Sequence, residues 1–376
     1  MKNYIILITL LILYISSTTF KVFYESKKFN KEYIANLSSM ESFLSKSYVG
    51  TIADSYHYLK QAYSVYKTFK PYDCFRPITG YLFAPFLFVF KKYSILAILF
   101  FNATAFSIVL YLFLNAFNTS FKLKLFVITF VFLMTFYFIP RIMLEPYTMI
   151  LTLLAILFYR NNKFFLSLIL LFFTSLIRNE FILVFIVFLF FIFLKSKKIL
   201  FVSIPLLIIL LISNAVLSGC EDQSNFYWWA IKNYYENVKH IEYEKAKELW
   251  KEKCEILDDK CYKNILKSLF YEERNIAIKE AIKNILLNPI KLLIFPLDKY
   301  KWNFVYIIVN IIWFVLVISS IIKSFEKQKV LIISLFLLII LYSLYAVFGG
   351  LDASRFKLYI LPFEMAIILN YENRSF

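Results

Sequence analysis

The chain has 376 residues, 61% of them hydrophobic, with a formal net charge of +17 and a mean hydropathy of +0.68. Soluble domains are about 45–50% apolar, so a soluble globular fold is excluded, and apolar runs of roughly 14 to 24 residues indicate an all-α polytopic membrane protein. The charge does not require nucleic acid, because Lys and Arg gather at cytoplasmic helix ends while acids are scarce in a bilayer; Gly 5 against Phe 44 and Tyr 28 argues against a close-packed small-xxx-small bundle.

In chain order, residues 4–20 read as an uncleaved signal anchor, since no convincing small-residue cleavage site is present. A polar loop follows over 25–77. Ile78–Phe90 is apolar but only about 13 residues long, short for a crossing. Further spans are expected at 94–117, 124–140, 144–159, 163–177, 180–194, 199–217, 303–322, 330–348 and 357–370. A second polar segment occupies 218–301. The chain thus divides into an N-terminal membrane module (1–217), an extracytoplasmic helical segment (218–301) and C-terminal transmembrane helices (302–376). There is no internal repeat.

With the N-terminus inside and Ile78–Phe90 lying at the surface, every short inside loop is basic: Lys122 and Lys124; Arg160 and Lys163; Lys195, Lys197 and Lys198; Lys323, Lys327 and Lys329. This gives about ten spans, both polar segments outside, and an inside C-terminus. Cys74, Cys220, Cys254 and Cys261 all fall in the outside segments, where disulfides form. Cys254 with Cys261 and Cys74 with Cys220 is the preferred pairing of three; four free thiols are the alternative. No zinc-ligand spacing is present.

The second outside segment reads as helical. Ala246, Leu249, Trp250, Cys254 and Leu257 recur at helical spacing, as do Ile278, Ile282 and Ile285. Asn288-Pro289 is an N-cap and first-turn proline opening a short interfacial helix, 290–295.

The charges near the membrane that ask for a reason fall in four outside connections: Asp54; Arg141 with Glu145; Arg178, Asn179 and Glu180; Asp352 with Arg355. The spans flanking Arg178 are only about 15 residues, so that turn is expected below the surface in a protein-lined cavity, where charge is costly unless paired or functional. Each has a plain reading. Arg178 pairs within its own hairpin with Glu180, Arg141 pairs with Glu145 at i,i+4, and Asp54 is solvated. Asp54 and His57 share a helix face without a second such pair to build a metal centre. Tyr56, Tyr58, Tyr63 and Tyr66 read as interface anchors. One carboxylate facing several arginines on one side of a membrane is a layout for moving a group from a phosphate carrier to a hydroxyl.

The ordered set resembles the GT-C membrane glycosyltransferases, the group that includes protein O-mannosyltransferases and lipid A aminoarabinose transferases. An early acid with a following tyrosine matches Asp54-Ser55-Tyr56, and the Arg-Pro helix start matches Arg76-Pro77-Ile78-Thr79. The Leu-x-Glu-Pro turn matches Leu144-Glu145-Pro146 with the leucine adjacent, the Arg-x-Glu turn matches Arg178-Asn179-Glu180, the Asn-Pro helix matches Asn288-Pro289, and the final Arg followed by Pro matches Arg355-Phe356 and Pro362. The resemblance covers nearly the whole chain. It departs at Ser55, Ile78 and Phe356, where a second acid, a second proline and a tyrosine are usual.

The resemblance implies a polyprenyl- or dolichyl-phosphate sugar donor. The acceptor is a glycan, lipid or protein hydroxyl, on the outer face of the cell membrane. Asp54 is the expected general base. Arg178 and Arg355, then Arg141 and Arg76, are expected at the donor phosphate. Glu145 orients the acceptor, pairs with an arginine or holds a divalent cation. Tyr56, His57 and Glu180 support the site. Direct displacement implies inversion. A lipid-linked saccharide flippase is the alternative from another class; it calls for charges along a path across the bilayer and often internal repeats, whereas the conspicuous charges here are expected all on one side. A polysaccharide polymerase or ligase and a non-catalytic assembly partner are further alternatives.

Overall fold

The computed structural model describes residues 2–51, 53–72, 78–196, 200–218, 225–254, 259–294, 304–348 and 353–370. Among them the chain is all-helical, with one isolated bridge between Glu32 and Tyr48 and no strand. The helices are α1 (Lys2–Phe29), α2 (Met40–Leu44), α3 (Ala53–Thr68), α4 (Ile78–Phe90), α5 (Ser94–Asn115), α6 (Phe121–Thr135), α7 (Glu145–Arg160), α8 (Phe164–Ile177), α9 (Phe181–Lys195), α10 (Leu200–Ser218), α11 (Asn225–Asn237), α12 (Tyr243–Lys253), α13 (Asp259–Glu272), α14 (Arg274–Ile294), α15 (Phe304–Ser324), α16 (Lys329–Tyr345) and α17 (Ala353–Asn370).

Among the described residues three stretches are long and apolar enough to cross a membrane: Tyr4–Phe29, Ile78–Asn115 and Ile308–Lys327. Phe164–Ile177, Phe181–Lys195, Ser203–Ser213 and Lys329–Tyr345 are apolar but shorter. Isoleucines face outward on several of these helices, among them Ile8, Ile12, Ile208, Ile212, Ile311 and Ile312, as expected where lipid rather than water is the surroundings.

The first helix outruns the apolar segment 4–20. Thr18 and Thr19 donate to the carbonyls of Tyr14 and Ile15 at 2.8 and 2.9 Å, so their hydroxyls are satisfied inside the helix. The helix then runs on to Phe29, into the expected loop. That loop is itself folded. α3 and α4 lie against each other at Gly80, where an added Cβ would come within 2.8 Å of Val65 and 3.0 Å of the Gln61 carbonyl. Tyr58 and Tyr63 are buried with Phe83 and Leu87 in the resulting apolar cluster, so these two tyrosines are core residues and not interface anchors. Lys91, at φ 47, separates α4 from α5.

α17 is the central helix: from Phe356 to Asn370 every residue is buried. A separate apolar cluster, built on α11 to α14, centres on Trp250. Ala246 and Trp250 are buried as expected, but Leu249 is exposed, and Leu257 lies outside the described residues. Cys254 and Cys261 are bonded; Cys74 and Cys220 lie outside the described residues.

Asn288-Pro289 does not open a new helix. α14 passes through both residues. Asn288 is fully buried, and its amide donates to the carbonyls of Ser343 and Ala346 at 3.3 and 3.0 Å. It closes the C-terminal end of α16, where carbonyls lack partners within their own helix. The inner face of α14 is Ala277, Ala281, Asn284, Asn288 and Leu292, while Ile278, Ile282 and Ile285 are exposed. The apolar spacing in this segment marked the outer face.

Candidate active site

Four helix ends bring the charged residues together. Asp54 lies in the first turn of α3. Its neighbour Ser55 is buried and donates to the Ile142 carbonyl at 2.7 Å, which ties the start of α3 to the segment leading into α7. Glu145 opens α7 with Pro146 behind it. A proline in the first turn loses no hydrogen bond, and a carboxylate there meets the positive end of the helix dipole. Arg178 is the residue at which α8 ends, in extended conformation. Arg355 stands at the start of α17.

Arg355 joins two carboxylates. Its Nη2 lies 2.7 Å from Asp54 Oδ2, and its Nε bonds Glu145 Oε1. Tyr359, one turn further on, donates to the same Glu145 oxygen at 2.6 Å. The Arg178 guanidinium lies 4.6 Å from the centre of the Tyr359 ring. It also keeps a looser contact with Glu180, at 3.7 Å. Tyr342 stacks beside Tyr359, their ring centres 5.6 Å apart. Exposure falls along the group: the side chains of Asp54, Arg355, Arg178 and Glu145 are 38%, 19%, 5% and 0% exposed. The group therefore runs inward from an open end at Asp54 to a closed end at Glu145.

Two atoms of the group are buried without a hydrogen-bond partner: Glu145 Oε2 and Arg178 Nε. Leaving such groups unsatisfied costs about 1–3 kcal/mol each. An acceptor and a donor of this kind are what a polar occupant would satisfy.

Asp54, Glu145, Arg178 and Arg355 thus converge, with Glu180 touching Arg178. Glu145 does not take the i,i+4 partner open to it. Arg141 turns instead to Tyr137, its guanidinium 3.6 Å from the ring centre and its Nε donating to that residue's carbonyl at 3.0 Å. The Tyr56 hydroxyl reaches Ser47 at 3.4 Å and His57 is exposed, so neither is drawn to the charged group by these contacts. Arg76 and Asp352 lie outside the described residues. Among the described residues no three His, Cys, Asp or Glu side chains are grouped to hold a metal ion.

Tyr359 and Tyr342 were not anticipated. The one available signal was spacing: Tyr359 stands four residues after Arg355, on the same helix face. Lys357 and Glu364, which were not among the conspicuous charges, are buried within α17 and paired at 2.5 Å.

The chain matches no protein-family model, no curated protein and no solved structure.

Proposed function

We propose that the protein is an integral membrane glycosyltransferase of the GT-C kind, with about ten spans. It moves one sugar from a polyprenyl-phosphate donor to an acceptor hydroxyl on the outer face of the cell membrane. The observation that carries this reading is Arg355 joining Asp54 at 2.7 Å and the buried Glu145, with Arg178 close by on Tyr359. Four residues from four separate chain segments share this arrangement. Local packing gives no simple reason to collect them.

The chemistry follows from the arrangement. Donor phosphate competes with two carboxylates for the Arg355 guanidinium, which is a strong bidentate phosphate partner. As the guanidinium turns to phosphate, Asp54 is freed to accept a proton. The acceptor oxygen attacks the anomeric carbon, its proton passes to Asp54, and the bond from that carbon to the phosphate oxygen breaks with its electron pair leaving on the phosphate. Arg355 and Arg178 stabilise that leaving charge in a water-poor site. The unpartnered Glu145 oxygen is placed to accept from a sugar or acceptor hydroxyl, or to take a divalent cation. One displacement gives inversion.

The test is binding of undecaprenyl phosphate to the full chain in lipid nanodiscs, read by native mass spectrometry. Arg178→Ala is expected to weaken binding about tenfold or more, the effect of one charge-assisted hydrogen bond. Asp54→Asn should retain binding and lose transfer of sugar from extracted membrane donors. Equal binding by all variants sinks the reading. Lys357 and Glu364, a charge pair buried inside α17, favour a second reading as a transporter of lipid-linked saccharides. In that case undecaprenyl phosphate binds, but Asp54→Asn leaves transbilayer movement intact and no transfer is seen in the native chain.

A further inference from the structure

α17 carries two polar pairs, and they point in opposite directions. A helix advances about 100° per residue. Relative to Arg355, Tyr359 therefore lies about 40° round the axis, while Lys357 and Glu364 lie at about 200° and 180°. The front pair meets Glu145. The back pair forms a separate buried network. Lys357 Nζ lies 2.5 Å from Glu364 Oε1 and reaches the Leu293 carbonyl of α14 at 3.5 Å. Glu364 Oε2 accepts from the Trp313 indole of α15 at 2.9 Å. That indole in turn stacks on Phe130 of α6, ring centres 3.9 Å apart.

From Phe356 to Asn370 the helix is buried and mostly apolar, so a rotated helix would bury a similar apolar area, and side-chain interdigitation alone would have to set its rotation. A charge pair discriminates strongly, because the wrong rotation strands an ion in an apolar interior. A single buried polar group is known to fix register in helical assemblies for this reason.

We propose that Lys357 and Glu364 are positioning residues for the site on the other side of the helix. They set the rotation of α17 against α14 and α15, and thereby aim Arg355 and Tyr359 at Glu145. The inference rests on the transferase reading only for what the front face does, not for how the back face holds it.

The test reads rotation directly, in the full chain in lipid nanodiscs with Cys74 and Cys220 replaced by Ser. Tyr345→Cys and Phe356→Cys form the reporter pair, since these rings lie 6.2 Å apart between α16 and α17 and neither belongs to the charged group. Oxidative cross-linking is compared in three backgrounds. Lys357→Arg keeps the charge and is expected to stay within about twofold of the native pair. The combined Lys357→Met and Glu364→Leu change removes both charges, so neither is left unpaired, and should lower the cross-linking rate about fivefold or more. An unchanged rate in that background overturns the proposal.

If the neutral pair does not accumulate, Trp313→Phe decides. It keeps an aromatic ring against Phe130 and leaves the ion pair intact, but removes the indole tether to Glu364. A slower cross-link supports the proposal and an unchanged one overturns it. Undecaprenyl phosphate binding is measured separately without the reporter cysteines. Cross-linking as expected with no binding by the native chain leaves the positioning role standing and removes the transferase reading.

Discussion

Two regions of the molecule hold the same set of groups: a carboxylate, a cation and a tyrosine hydroxyl. In the bundle these are Glu145, Arg355 and Tyr359; in the module around Trp250 they are Glu273, Lys239 and Tyr234. The sharing differs. Glu273 gives Lys239 one oxygen and Tyr234 the other, at 2.6 Å for the tyrosine, and it is 26% exposed. Glu145 puts both partners on one oxygen and leaves the other empty, although it is 0% exposed. A purely structural carboxylate is expected to use both oxygens, above all where water cannot reach. The module triad is closed upon itself, while the bundle triad keeps an acceptor vacant in the more demanding place.

Removing each carboxylate tests the contrast most strongly. Glu145→Leu strips Arg355 and Arg178 of a buried counter-charge and is expected to cost about 3–5 kcal/mol. Glu273→Leu breaks a partly exposed pair and should cost about 1 kcal/mol or less. Thermal unfolding in one detergent compares them, and equal losses would erase the distinction between the two triads. The next effect belongs to the module alone. Replacing Cys254 and Cys261 by Ser opens a bridge across a separation of 7 residues. This should destabilise the module by about 2 kcal/mol, seen as faster proteolysis within 225–294 and an unchanged rate in the bundle.

The smallest effect is acidification. Burial works to raise the Glu273 carboxyl, but the Lys239 and Tyr234 contacts outweigh it and hold the group below the usual glutamate range. A native carboxyl so depressed binds protons more weakly than the unfolded one. Its contribution is therefore complete above the unfolded value of about 4.3 and disappears as pH falls through the lowered value. With about a quarter of the pair exposed, the loss is expected to be about 1 kcal/mol or less. It should vanish in Glu273→Gln when module unfolding is followed against pH.

Three charges of the site were legible because Glu145, Arg178 and Arg355 stand in short polar turns between long apolar runs, and such an interruption of hydropathy is easily read; Asp54 lies instead in the long polar loop 25–77, where it was the early acid. Tyr359 interrupts nothing in a chain with 28 tyrosines. Lys357 and Glu364 were hidden differently: their neighbours keep the run apolar on average, so the charge disappears into the sum. Periodicity in α14 located a face of the helix without saying what that face meets. The inward residues there include two alanines and two asparagines, suited to close approach and to bonding rather than to hydrophobicity. Asn-Pro carries a start signal for a helix, but the Asn288 amide is committed to the end of α16, so the local rule gave way to a tertiary contact.

That commitment of Asn288 reaches beyond geometry. One amide satisfies carbonyls at the end of α16 only while α14 remains helical through residue 288. Fraying of either helix end therefore exposes unpaired polar groups on the other, and the two cannot open independently at low cost. They form one cooperative unit for local unfolding. Backbone amides around 284–292 and in the last turn of α16 should exchange their hydrogens with solvent at matched rates. Asn288→Ala should raise both rates together.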